Sequence, residues 1–149
     1  MFSGRFGDST GRPYVEGRLT IPRLGIVGNI SFLADTGADT TCLMPMDAGK
    51  VGLDYSQLKD KAVSVGVGGK SDNFIEQAWV TFNNGQELVS YSIYLTILQP
   101  SKHIGDIPSL LGRDILDKCR MIYNPLDKEL LFEPKIADVT TPIKSQGTA

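Results

Sequence analysis

The chain is poor in the residues that build metal centres and histidine-dependent triads. Its 149 residues include one histidine, His103, and two cysteines, Cys42 and Cys119. Two cysteines so far apart make neither a disulfide framework nor a metal site, and they are expected as buried thiols in a reducing compartment. A lone histidine in a loop containing Pro and Gly supports no zinc centre and no triad. Charge bias is also missing: 15 basic residues face 17 acidic ones, giving a net −2, and no block of like charge stands out. A nucleic-acid or membrane-surface partner therefore has no electrostatic support. No apolar run approaches the ~20 residues of a membrane-spanning helix. Met1 to Thr10 is polar and Gly-rich, without the apolar stretch of a secretory signal, so a cytoplasmic location is expected. The remainder is ordinary: 41% hydrophobic and 21% charged residues, enough for one domain with a single core.

Short strands separated by turn residues dominate the pattern. Residues 1–13 read as a flexible arm, broken by Gly4, Gly7, Gly11 and Pro13. Strands are expected over Tyr14–Leu24 and Val27–Leu33, and helical turns over Asp47–Val51, ended by Gly52. Lys61–Val67 and Phe74–Phe82 flank Gly66, Gly68 and Gly69 and predict a hairpin with a Gly-rich tip. Asn84-Gly85 is the strongest short-range hairpin signal and joins that second strand to Glu87–Leu98. Gln99–Pro108 reads as a loop, Ser109–Leu111 as a short strand and Arg113–Lys118 as a helical segment. Met121–Tyr123 and Glu129–Phe132 flank a turn. The core unit is expected over 14–134, and the Thr/Pro/Ser-rich 135–149 as a disordered tail. The class is all-β, a barrel or sandwich with one or two short helices.

One carboxylate stands out. Phe32-Leu33-Ala34-Asp35-Thr36-Gly37-Ala38-Asp39 places Asp35 just after an apolar strand, where a carboxylate is costly unless something satisfies it. Gly37 permits a sharp turn and close approach, and Thr36 supplies a hydroxyl. On these residues alone, a plain turn in which Asp35 bonds the following amides is the commoner outcome. A metal site on Asp35 and Asp39 is a third reading, without a carboxylate cluster to complete it.

Context changes the balance. Phe32–Asp39 resembles the active-site loop of retroviral-type (retropepsin-like) aspartic proteases. Ser109-Leu110-Leu111-Gly112-Arg113-Asp114-Ile115-Leu116 resembles that family's later motif, and Val65–Gly69 lies where the family has its flap. The order is right from about Tyr14 to Phe132. The resemblance implies an acid-protease barrel with a flap hairpin, homodimeric because a single Asp-Thr-Gly supplies half of a two-carboxylate site. It implies catalytic roles for Asp35, Thr36 and Gly37, and substrate contacts from Gly37, Asp39, Gly66, Val67, Gly68 and Gly69. It implies a structural ion pair between Asp39 and Arg113, no metal and no cofactor, and a peptide or unfolded protein as substrate. Asp114 departs from the amide common at that position and is expected to cap the following helix. The alternative is a dimerisation or peptide-binding module with little or no proteolysis.

Overall fold

Strict alternation along Glu87–Leu98 buries Val89, Tyr91, Ile93, Leu95 and Ile97 and leaves the residues between them half-buried or exposed. That is the mark of a strand with one face on a core. In a computed structural model of the chain, the described residues are 1–7, 9–66, 69–102 and 104–144, with side chains described outside 63–72. His103, Val67, Gly68 and the end of the expected tail lie outside them.

In chain order the strands are β1 (Phe2–Ser3), β2 (Arg5–Gly7), β3 (Arg12–Ile21), β4 (Ile26–Ala34), β5 (Cys42–Leu43), β6 (Lys61–Gly66), β7 (Gly69–Asn83), β8 (Glu87–Leu98), β9 (Leu110–Leu111), β10 (Cys119–Asn124), β11 (Glu129–Pro134) and β12 (Val139–Pro142). Helix α1 spans Pro45–Lys50 and α2 spans Arg113–Leu116, and single 3-10 turns occupy Pro22–Leu24 and Tyr55–Gln57. The main sheet runs β12-β8-β5-β9-β4-β3-β7-β6, and a further pairing of β7 with β8 closes it into a barrel. A smaller sheet runs β1-β11-β10. The all-β class with short helices expected from the sequence is the architecture observed.

Two regions differ from expectation. The supposed flexible arm carries two strands, because Phe2 is buried and stacks between Phe82 and Phe132 at centroid separations of 4.3 and 5.1 Å. Burying one such ring is worth about 2 kcal/mol, enough to offset much of what the Gly-rich composition costs locally. Within the supposed disordered tail, β12 pairs with the first residues of β8, from Val139↔Ser90 to Pro142↔Glu87. Its side chains are all exposed, so backbone pairing holds it, and composition does not report on that. The Asp138 carboxylate reinforces the seam by accepting from Ser92 N at 2.8 Å.

The core places the expected site at one end of the barrel. Phe32 and Leu111, both fully buried, anchor β4 and β9, which run parallel with Leu33↔Leu110 and Ala34↔Leu111. On its other side β9 pairs with β5 through Cys42↔Leu110. Strand β9 therefore lies between the strand entering the loop 35–41 and the strand leaving it.

Candidate active site

Because β4 and β5 flank β9, the chain from Asp35 to Thr41 must cross over the end of β9. Gly112 sits under that crossing. A Cβ added there would lie 2.4 Å from Thr40 C and 2.5 Å from Thr40 O, so the position admits only glycine without a backbone shift. The segment after β9 then clasps the loop from below. Asp35 N donates to Leu111 O at 3.0 Å, and Arg113 N donates to Ala38 O at 2.8 Å. Arg113 Nη1 donates to Thr36 O at 2.8 Å, and its Nη2 pairs with Asp39 Oδ1. Thr41, fully buried, closes the clasp: its N and Oγ1 donate to the two oxygens of Asp114 at 2.9 and 2.7 Å, while its Oγ1 accepts from Gly112 N at 3.1 Å.

The expected residues Asp35, Thr36, Gly37, Asp39 and Arg113 are thus gathered around one loop. Asp35 is half-buried, and Thr36 and Gly37 are exposed. Asp35 Oδ1 accepts from Gly37 N at 2.9 Å, which orients the carboxylate within its own turn. Asp39 is 84% exposed, so its ion pair with Arg113 is a surface pair of modest value. Gly66 and Gly69 face each other at the end of the β6–β7 ladder, while Val67 and Gly68 lie outside the described residues.

Asp114 does not cap α2. The N-cap position is Gly112 and makes no side-chain cap, and Asp114 turns back to hold Thr41. The physical reason is that Thr41 is buried with two donors to satisfy, and a carboxylate accepts both where a cap would satisfy a single exposed amide. Sequence reading also passed over Thr41 itself, since its bonds span more than seventy positions. Its neighbour Cys42 is half-buried, with its thiol pushed up to about 11, first by burial, against a lowering hydrogen bond to Thr40.

The retroviral aspartyl protease family model matches residues 9–123. The chain belongs to the retroviral aspartyl protease family. No curated protein sequence matches significantly. Among solved structures it is similar to a retropepsin-like aspartic protease from Rickettsia conorii, at 21% identity and TM-score 0.53, covering 85% of this chain and 94% of that one. It is also similar to EIAV protease complexed with the inhibitor HBY-793, at 20% identity and TM-score 0.49 over 74% and 90% of the two chains. The retroviral protease-like domain of Ddi1 from Leishmania major aligns at 16% identity and TM-score 0.41, over 82% and 95%. The first of these supports the retropepsin-like fold, and the loop 35–41 with its clasp lies within the residues that the family model matches.

Among the described residues, no helix is long and apolar enough to cross a membrane.

Proposed function

We propose that this chain is one half of a homodimeric aspartic endopeptidase whose two Asp35 carboxylates flank a single water. The observation that carries this reading is the braced loop: one half-buried carboxylate, oriented by Gly37 N, in a loop whose Thr36-Gly37 crest is exposed. Like charges about 3 Å apart do not both ionise, so the pair shares one proton. The ionised Asp35 acts as general base on the water, and the protonated one donates to the scissile carbonyl and then serves the leaving amine.

The proposal extends to the residues around Asp35. Thr36 bonds across the two-fold axis and keeps the carboxylates coplanar. The Gly37 carbonyl and Asp39 take the substrate backbone, with Arg113 holding Asp39 in place. An extended peptide lies against the ribbon of β6 and β7, bound as an added strand, with Gly66, Val67, Gly68 and Gly69 as its contacts, and closure of the ribbon as a flap excludes water. Residence in a reducing, intracellular compartment is supported by Cys42 and Cys119, both free thiols.

Asp35→Asn tests the reading. Cleavage of an unstructured polypeptide is expected to fall by at least ~10³-fold, because general acid–base function is lost, while sedimentation still reports a folded dimer. Cleavage by the variant at the wild-type rate would refute the assignment. A wild-type dimer that binds peptide and cleaves none would instead indicate a dimerisation or peptide-binding module.

A further inference from the structure

Strand β7 carries an anomaly at its root. Its inward positions are filled by Phe74, Ala78, Val80 and Phe82, all buried, and Glu76 stands among them at the same parity, opposite Leu95 of β8. Its side chain is 7% exposed. A carboxylate at a core position is tolerated only when paired, and an apolar residue of similar size serves stability as well or better. Packing therefore does not explain Glu76.

Its partner does more than neutralise it. Arg23 lies in the 3-10 turn between β3 and β4, and its Nε and Nη2 both donate to Glu76 Oε1, the former at 2.9 Å. Nη2 also donates to Gln57 O at 2.8 Å. One guanidinium thus joins the β3–β4 turn, the 3-10 turn that precedes β6, and β7. Close by, Ile75 N donates to Asp60 O at 2.9 Å, and Tyr55 OH to Leu98 O at 2.9 Å. The Tyr55 ring meets Phe74 edge-on.

These contacts sit where the hairpin leaves the barrel. The β7–β8 ladder ends at Asn73↔Leu98, and beyond it β6 and β7 pair only with each other among the described residues. A two-stranded ribbon has little stability of its own, so its direction is set at its root. Arg23 is 43% exposed, and a cleft of about 330 Å³ lined in part by Asp60, Gln77 and Tyr94 reaches the pair. Water can therefore enter and take over the hydrogen bonds without the core opening.

We infer that Arg23 and Glu76 form a positioning latch that fixes the angle of the β6–β7 ribbon to the barrel and thereby sets how readily the hairpin opens to admit an extended peptide. The substrate half of this inference rests on the protease reading above; the attachment of the ribbon does not. A charged, three-way contact is directional, whereas apolar side chains in its place would fill the volume and leave the angle free.

The test compares wild type with Arg23→Met/Glu76→Leu and with Arg23→Lys, by thermal unfolding, by amide hydrogen exchange and by kinetics on an unstructured polypeptide. The double variant is expected to melt no lower than wild type. Its Lys61–Gly66 amides are expected to exchange about tenfold faster, while the β3–β4 ladder keeps its rates. KM should rise several-fold with kcat within about twofold, since the latch touches no reacting group. Arg23→Lys keeps the charge but loses the fork that reaches Glu76 and Gln57 together, so its ribbon exchange should fall between the two. Wild-type exchange rates in the ribbon of both variants would overturn the latch. An inactive wild-type protein whose ribbon still loosens in the variants would retain the latch and sink the protease reading alone.

Discussion

The loop at Asp35–Thr41 and the ribbon of β6 and β7 are built in opposite ways. The loop is exposed at its crest, yet its backbone is held at Asp35, Thr36, Ala38 and Thr41 by the segment Leu111–Asp114, with fully buried Thr41 and Leu111 beneath it. The ribbon beyond Asn73 has only its own ladder, and its attachment is concentrated in a few contacts at the root. The difference matches what the proposed function asks of each part. A reacting carboxylate has to be held to within a fraction of an ångström by groups that are themselves held. A cover that admits and releases a peptide has to come from the low-stability end of the structure.

The largest expected effect lies under the loop. Gly112→Ala drives a Cβ against Thr40 C and O, and that contact is backbone, so nothing flexible can yield. A loss of about 3 kcal/mol follows from overpacking at such a site, seen as a fall in Tm of roughly 10 °C. Hydrogen exchange should rise in the loop and β9 far more than in the ribbon. A variant as stable as wild type would mean that the loop yields, and the contrast between the two regions would collapse.

Asp114→Asn probes the same clasp more gently. The carboxylate accepts from both Thr41 N and Thr41 Oγ1, leaving Oγ1 free to accept from Gly112 N. An amide can accept only one of the two. Its NH2 would then face a hydroxyl that already accepts a bond, and the hydroxyl proton would be left without a partner. The expected cost is about 1–2 kcal/mol in denaturant unfolding, the usual penalty for an unsatisfied buried donor, with kcat reduced more than KM. An unchanged midpoint would show that the loop does not depend on this contact.

Much of this was legible in advance, and the exceptions share a cause. The alternation of β8, the turn at Asn84-Gly85 and the positions of Asp35, Gly112 and Arg113 are local signals, and the structure carries strands, turn and loop at those residues. Asp114 read as a helix cap because sequence shows what stands next to a helix, not what lies across from it; Thr41 is seventy-three positions away. Glu76 takes an inward position on β7 only in the folded chain, where its partner Arg23 is fifty-three positions distant. The arm at 1–13 and the start of the tail at 135–149 differ from expectation for another reason. Composition predicts disorder from what a segment lacks, and these two are held by what they meet, an aromatic stack in one case and a free strand edge in the other. Non-local contact therefore accounts for each of these departures.

The effect that is smallest at neutral pH is read at Cys42, where the clasped loop runs into β5. Its thiol is pushed up from 9.0 to about 11, chiefly by burial. The folded state therefore favours the neutral form more than the unfolded chain does. The resulting stabilisation is complete below the ordinary thiol pKa and is lost as pH climbs from about 9 towards 11. Stability of the wild type should decline across that window more steeply than that of Cys42→Ala, with Cys119 present in both. At pH 8 the thiolate fraction of Cys42 is about a hundredfold below that of an ordinary cysteine, so alkylation followed by mass spectrometry should label it correspondingly slowly. The two regions can then be compared in one sample, by labelling at Cys42 and amide exchange across Lys61–Gly66. Slow labelling beside fast ribbon exchange is the expected pattern. Labelling at free-thiol rates would place the loosening in the loop and reverse the contrast between the two.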